Sequence, residues 1–142
     1  MREIKFRAWH KEEKLMCRVD VINFEKGAFL VGVKPEEHDP CDLMIIPTHG
    51  RFCLFDEFEF MQYTGLKDKN GVEIYEGDVV QLYNLNPDES LIPVQKGVCY
   101  WDEQNSLFNL TRTMLGWLGA VSEKRLEVIG NKYENPELLN NK

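Results

Sequence analysis

The chain has 142 residues, of which 43% are apolar and 11% aromatic, and its formal net charge at pH 7 is −7. This length suits one domain or two very small ones, and the apolar content is too high for a disordered chain. No apolar run approaches the ~20 residues that a membrane-spanning helix needs, and the N-terminus lacks the apolar segment of a signal peptide. We therefore expect a folded protein of the cytoplasm without a membrane segment.

The acidic balance, with a sequence pI near 5.0, makes nucleic acid an unfavoured partner, because binding to phosphates needs a basic surface that displaces counterions. Basic or protein partners suit this charge better, although moderate acidity is also common among soluble bacterial proteins. The four cysteines are scattered, so we expect small buried hydrophobic residues and no disulfide framework.

The first part of the chain predicts an antiparallel β meander. Residues 4–9 alternate apolar and polar side chains, residues 15–24 form the returning strand, and residues 28–33 follow a polar turn that contains glycine. After an acidic loop with prolines, residues 43–47 are a candidate short strand. Residues 57–63 predict a further strand, because β-forming residues dominate there.

The most informative stretch is residues 61–80, with the sequence MQYTGLKDKNGVEIYEGDVV. It predicts two sharp turns before a strand, and the Asn70-Gly71 pair supplies the positive φ angles that a tight reversal needs. Asp78 follows a glycine, and we expect it to accept backbone N–H groups and to fix the second turn. Such turns between short strands are typical of small, strongly bent β-barrels.

The remaining third of the chain predicts more strands and a short final helix. Residues 94–101 and 106–111 flank a polar turn and predict a hairpin, and residues 125–130 predict the last strand. Residues 114–120 favour a loop or one helical turn. Asn135 and Pro136 are typical N-cap and N1 residues, and the acid that follows them suits a first helical turn.

The run at residues 61–80 resembles the central signature of the YopX family, whose members are small proteins encoded by bacteriophages and by prophages of Gram-positive bacteria. Two further segments fit this resemblance in the family's order: REIKFRAW at residues 2–9 and EVIGNKYENPELL at residues 127–139. The resemblance implies a β-rich fold with an SH3-like barrel. It implies no established activity and provides no functional residues.

We therefore predict a mainly β protein. An N-terminal antiparallel meander over residues 1–61 precedes an SH3-like barrel over residues 62–131, and a short C-terminal helix and tail occupy residues 132–142.

A zinc site is the sharpest candidate for chemistry. Two His and two Cys lie close together in the sequence, and this ligand set suits structural zinc: His38, Cys41, His49 and Cys53. The spacing fits poorly, because the ligand pairs of zinc knuckles sit on tight turns and Cys53 belongs to an apolar run. We expect a chance gathering of these side chains and no cofactor.

Catalytic patterns find little support in the sequence. Adjacent acids such as Asp102 and Glu103 are typical of a solvated face, whereas acid–base catalysis needs carboxylates held in a cleft. The serines lack a Gly-x-Ser-x-Gly context, and no phosphate-binding Gly-Lys-Ser/Thr loop is present. We therefore expect a protein that is not an enzyme.

Aromatic residues of the predicted barrel are the candidate partner-binding site: Tyr63, Tyr75 and Trp101. SH3-like barrels bind ligands through aromatic grooves, and related barrels stack bases on aromatic rings. The competing interpretation is that most of these rings fill the core. Our leading hypothesis is a non-catalytic module that binds a phage or host protein, and it could act as a homo-oligomer. The alternative is a nucleic-acid-associated factor in phage replication or regulation.

Overall fold

The computed structural model describes residues 3–12, 14–23, 28–33, 53–54, 58–111, 113 and 118–139. The chain divides into two compact units, one formed by Lys5–Gln62 and the other by Met1–Ile4 with Tyr63–Lys142. The described residues are mainly β, with antiparallel pairing throughout and short 3-10 helices between strands. None of the helices in these ranges is long and apolar enough to cross a membrane.

The unit Lys5–Gln62 is a sheet in which the first four strands lie in chain order and the fifth pairs with the first. Its strand order is β4-β3-β2-β1-β5. The strands are β1 (Phe6–His10), β2 (Leu15–Asn23), β3 (Ala28–Val33), β4 (Cys53–Leu54) and the first half of β5 (Phe58–Lys67). The predicted meander is therefore present as β1, β2 and β3.

The core of this unit lies on one face of the paired strands. Ala8 of β1 pairs with Cys17 of β2 and with Phe60 of β5, so the three side chains share a face. Ala8, Cys17 and Phe58 are buried together, and Phe60 packs against them. Ile4 is 69% exposed and precedes β1, so the alternation predicted to begin there begins at Phe6.

The second unit holds the other half of β5 and five further strands. They are β6 (Glu73–Tyr75), β7 (Asp78–Leu85), β8 (Leu91–Asp102), β9 (Leu107–Leu110) and β10 (Leu126–Asn131). β5 pairs with β6, and the remaining strands form a sheet with the order β10-β7-β8-β9. The predicted hairpin of residues 94–111 is the pair β8–β9, and β8 begins three residues earlier than predicted.

One apolar cluster holds this second unit together. Val80 and Leu82 of β7 share a face with Cys99 of β8, and Phe108 and Leu110 of β9 complete it across the sheet. Leu126 at the start of β10 also belongs to the cluster, and three side chains outside this sheet close it: Ile74, Leu118 and Val121.

The C-terminal helix differs from the prediction. It is a four-residue 3-10 helix, Pro136–Leu139. The Oδ1 atom of Asn135 accepts a hydrogen bond from the N–H of Asn131 at 3.2 Å, and the N–H of Asn135 donates to the Asn131 carbonyl at 2.9 Å. Because these bonds turn the chain back towards β10, Asn135 closes a turn instead of starting an α-helix. The predicted strand at residues 43–47 lies outside the described residues.

Candidate interaction surface

The turn between β5 and β6 is built around the carboxylate of Asp68, which is 3% exposed. Its Oδ1 atom accepts hydrogen bonds from the N–H groups of Asn70 at 2.8 Å and Val72 at 2.9 Å. Its Oδ2 atom accepts from the N–H of Val128, in β10, at 2.9 Å. An ionised carboxylate accepts without donating, so it suits three converging N–H groups. Asp68 therefore fixes the turn and ties it to the sheet, a role that our sequence interpretation missed.

The Asn70-Gly71 turn is present, but only the glycine uses a positive φ. Gly71 has a φ of 80°, while Asn70 is outside the positive-φ region. The N–H of Gly71 donates to the Asp68 carbonyl at 3.0 Å, and the N–H of Asp68 donates to the Val72 carbonyl at 2.8 Å. This is a three-residue loop that ends in a left-handed glycine. The prediction that both Asn70 and Gly71 supply positive φ angles was wrong.

The second turn confirms the role predicted for Asp78. This side chain is 2% exposed, and its Oδ2 atom accepts a hydrogen bond from the N–H of Tyr75 at 2.8 Å. Gly77 has a φ of 85°, its N–H donates to the Cys99 carbonyl and its carbonyl accepts from Lys132, both at 2.8 Å. The turn is thus a fixed structural element that connects β6, β7 and β8.

The three predicted binding aromatics fall in two places. Tyr63 and Tyr75 are cross-strand partners in β5 and β6, with ring centroids 5.4 Å apart. Tyr63 is 4% exposed, so its ring offers little surface to a partner, whereas Tyr75 is half-buried. Trp101 lies on β8, is 39% exposed and packs edge-on against Phe108 with a centroid distance of 4.9 Å.

Strand β8 displays much of the exposed apolar surface of this unit. Four of its large apolar side chains are more than a third exposed: Ile92 51%, Val94 46%, Tyr100 38% and Trp101 39%. On the neighbouring strand, Leu85 is 45% exposed. Our sequence interpretation selected only Trp101 from this set, because it considered rings and left aliphatic side chains aside.

A groove of about 620 Å³ opens beside the middle of β8. Its lining combines apolar side chains with one lysine: Gln81, residues 93–98, Thr111, Leu138 and Leu139. Thr111 ties the end of β9 to β8, because its Oγ1 accepts from the N–H of Val98 at 2.9 Å and its own N–H donates to the Val98 carbonyl at 3.0 Å. The groove therefore has a firmly held wall on this side.

The geometry of the fold can be compared with known proteins. The YopX protein family matches residues 5–140 of the chain. The chain belongs to the YopX family. The match confirms the resemblance based on residues 61–80 and on the segments near both ends, and it also covers the regions between them.

No curated protein matches the chain. Among solved structures, the crystal structure of protein EF1440 from Enterococcus faecalis is similar, with a TM-score of 0.64 and 24% sequence identity. The similarity covers 98% of this chain and 99% of that chain. At this identity the likeness establishes a shared fold alone.

The four candidate zinc ligands, for which we expected a chance gathering, fall mainly outside the described residues. His38, Cys41 and His49 lie beyond the described residues, and Cys53 belongs to β4, of which the backbone alone is described. Within the residues that the structure does describe, no group of three or more His, Cys, Asp or Glu side chains could hold a metal ion.

A charged cluster lies where β10 meets β7 in this YopX-family fold. Lys69 Nζ lies 2.5 Å from Glu127 Oε2 and 4.9 Å from the centroid of the Tyr83 ring. The hydrogen bond to Glu127 raises the pKa of Lys69 above its usual value. Arg125 Nε donates to the Tyr83 carbonyl at 2.7 Å. These contacts link β7 to β10 and to the turn that carries Lys69. Lys69 and Arg125 each bind an acceptor within the protein, so we interpret the cluster as structural.

Proposed function

We propose that this YopX-family chain is a non-catalytic protein-binding module of phage or prophage origin that acts in the cytoplasm. The observation that carries the proposal is the exposure of four large apolar side chains on the single strand β8. Burial of apolar surface is the main driving force of protein association. These side chains form two groups near opposite ends of β8, Ile92 with Val94 and Tyr100 with Trp101, and grouped exposed apolar side chains on a soluble protein commonly mark interaction sites.

The proposed module is an SH3-like barrel formed by the strands from β6 to β10 with the end of β5. The short antiparallel strands, the tight turns at Gly71 and Gly77, and the single apolar cluster support this assignment. SH3-like barrels bind extended peptides in grooves lined by aromatic rings. In the proposed function Trp101 contacts the partner, and Tyr75 offers a second, half-buried ring that packs against Tyr63.

A second candidate function is association with single-stranded nucleic acid. The exposed rings of Tyr100 and Trp101 favour it, since unpaired bases stack on such rings. The net charge of −7 opposes it, because phosphate binding relies on cationic side chains. Protein binding therefore remains the first proposal.

An affinity capture from host lysate tests the proposal, with tagged protein and with nuclease-treated and untreated lysates compared. We expect a protein partner that survives nuclease treatment and is lost with the Trp101→Ala variant. Val72→Ala is the matched control, because Val72 is a similarly exposed apolar residue away from β8. Tyr100→Ser provides a second test in case the loss of the Trp101–Phe108 contact affects folding, which thermal unfolding would reveal.

The outcomes separate the two candidate functions. Capture that disappears after nuclease treatment would favour nucleic acid, and capture that none of the β8 variants changes would contradict the proposal. Light scattering of the purified chain shows whether a second copy is the partner, which covers the proposed homo-oligomer.

A further inference from the structure

The hairpin formed by β7 and β8 extends beyond the strands beside it. β10 pairs with β7 only as far as Leu82, and β9 pairs with β8 only from Cys99 onwards. The β7–β8 ladder continues through three more pairs: Tyr83↔Pro93, Asn84↔Ile92 and Leu85↔Leu91. Among the strands that the structure describes, this end of the hairpin is paired only with itself. We refer to residues 83–94 as the arm.

The tip of the arm is held in one conformation by a dense set of hydrogen bonds. The N–H of Asn86 donates to the Ser90 carbonyl at 2.9 Å, and the Asn86 Nδ2 donates to Ser90 Oγ at 2.9 Å. Asp88 Oδ1 accepts from the N–H of Ser90 at 3.0 Å and from its hydroxyl at 2.5 Å. An isolated hairpin is only marginally stable, so these bonds matter. A preorganised arm loses less entropy on binding.

The base of the arm is fixed as well. Arg125 Nε donates to the Tyr83 carbonyl at 2.7 Å, and Arg125 Nη2 donates to Asn84 Oδ1 at 3.2 Å. The arm is therefore attached to the sheet through its backbone and through this guanidinium. These hydrogen bonds hold the base of the arm, and with it the exposed side chains of the arm, in a fixed position.

The sides of the arm are apolar and open to solvent. Leu85, Ile92 and Val94 are each between 45% and 51% exposed. Leu85 pairs with Leu91, whereas Ile92 pairs with Asn84, so Leu85 and Ile92 lie on opposite faces of the hairpin and both faces carry exposed apolar surface. A folded protein gains nothing from holding these side chains in water, whereas a partner that covers them gains apolar burial.

The tip is acidic. Asp88 and Glu89 are the charged residues of the arm, and both are exposed. The hydrogen bond from the Ser90 hydroxyl lowers the pKa of Asp88. The like charge of a second acidic tip or of a phosphate backbone would be repelled, while Lys and Arg side chains would be attracted.

From this combination we propose that the arm is the docking element of the chain, and that its partner is a protein surface with an apolar patch bordered by Lys and Arg. The inference rests on the proposed function and specifies which part of the exposed surface makes the contact. Apolar burial against Ile92 and Val94, which belong to the same strand, provides the attraction, and the acidic tip selects the basic border.

An NMR titration tests the arm with a defined probe. The ¹⁵N-labelled full chain is titrated with a synthetic peptide of alternating Leu and Lys, and in parallel with one of alternating Leu and Glu. We expect shifts of the amide signals of residues 84–94 with the basic peptide and none with the acidic one. Shifts spread evenly over all exposed acids, or centred on Trp101, would overturn the proposal.

Two matched pairs of substitutions distinguish binding at the arm from a general effect of the negative net charge on peptide binding. Asp88→Asn with Glu89→Gln should weaken binding of the basic peptide about tenfold, since each exposed ion pair contributes up to about 1 kcal/mol. Glu103→Gln with Glu134→Gln changes the net charge equally at exposed sites that belong neither to the arm nor to the groove lining, and it should leave binding unchanged. An equal loss with both pairs would contradict the arm as the site.

The same lysate capture then distinguishes the two proposals. Ile92→Thr keeps a β-forming residue and removes apolar surface. An amide NMR spectrum that matches the unsubstituted protein outside the arm would show that the variant is folded. Loss of the partner with Ile92→Thr supports the arm. Loss with Trp101→Ala while Ile92→Thr still captures would keep the protein-binding function and overturn the arm.

Discussion

Asp68 and Val128 are joined across the second unit by a hydrogen bond of 2.9 Å from the backbone N–H of Val128 to the Oδ2 of Asp68. Because the Oδ1 atom of the same carboxylate holds the turn at Asn70 and Val72, one buried side chain fixes a tight turn and attaches it to β10. The N–H of Lys69 adds a further bond to the Leu126 carbonyl at 2.9 Å. The turn that dominates the sequence signature is therefore a structural joint.

Replacing Asp68 with alanine should destabilise the protein strongly. The change leaves three N–H groups without their acceptor, and we expect a loss of about 3 kcal/mol in the free energy of unfolding. Asp68→Asn keeps one carbonyl oxygen and should lose about half as much. Urea unfolding followed by circular dichroism measures both values.

The exposed Asp88 provides the control for this experiment. Its Oδ1 atom accepts hydrogen bonds from Ser90 within the exposed tip of the arm, so Asp88→Ala should lower the free energy of unfolding much less than Asp68→Ala. If Asp68→Ala were as stable as Asp88→Ala, the proposed joint would be wrong.

The local part of this arrangement could be read from the sequence, and the long-range part could not. Alternation with period two predicted most of β1, and runs of β-forming residues bounded by turns predicted β2, β3 and most of β10. The turn residues Gly71, Gly77 and Asp78 were also recognisable, since their roles depend on near neighbours. Val128 lies 60 residues from Asp68, and no local pattern reveals which distant N–H a carboxylate will meet.

The candidate site shows the same limit. Tyr63 and Trp101 both follow β-strand patterns, yet one is 4% and the other 39% exposed. Their difference depends on which elements cover each strand. The solvent exposure of the aliphatic side chains in the arm is set by the positions at which β9 and β10 stop pairing with β8 and β7. At the C-terminus, Asn135 has the residue type of an N-cap, but its Oδ1 is taken by the N–H of Asn131.

Gly97 should tolerate no side chain. A Cβ atom added there would overlap the carbonyl oxygen of Thr111 and lie 3.0 Å from its carbonyl carbon. Since backbone atoms must move to make room, we expect Gly97→Ala to cost about 3 kcal/mol of stability. Thermal and urea unfolding measure the loss.

Gly71→Ala is the matched comparison, because nothing lies within 4 Å of a Cβ atom at this position. Its φ of 80° alone should cost about 1 kcal/mol. A Gly97→Ala variant no less stable than Gly71→Ala would show that the strand can move away from Thr111.

Asp102 should titrate below its usual pKa because of Asn105. The Asn105 Nδ2 donates to Asp102 Oδ2 at 2.8 Å, and this hydrogen bond is the largest cause that lowers the pKa of Asp102 from 3.8. A lowered pKa in the folded state contributes stability above pH 3.8 that is lost as the pH falls through the folded value. Asn105→Ala should raise the pKa of Asp102 towards 3.8, as a carboxyl NMR titration would show.

The titration of Asp88 serves as the internal reference for this variant. Its pKa is lowered mainly by the Ser90 hydroxyl, so it should not respond to Asn105→Ala. If the pKa of Asp102 also stayed unchanged, the Asn105 side chain would not be the cause of the shift.

Gln81 should stabilise the irregular point of the β7–β8 ladder. The pairing register shifts between Leu82 and Tyr83, and here Gln81 Nε2 donates to the carbonyls of Leu82 at 3.0 Å and Gln95 at 2.9 Å. Gln81→Leu removes both donors, and we expect a loss of about 1–2 kcal/mol. Amide exchange of Gln95 and its neighbours in β8 should accelerate more than exchange in β9. Gln104→Leu, at an exposed turn position, is the control. Gln81 also lines the groove beside β8. If the two variants were equally stable, the Gln81 side chain would contribute to the groove and not to the stability of the β7–β8 ladder.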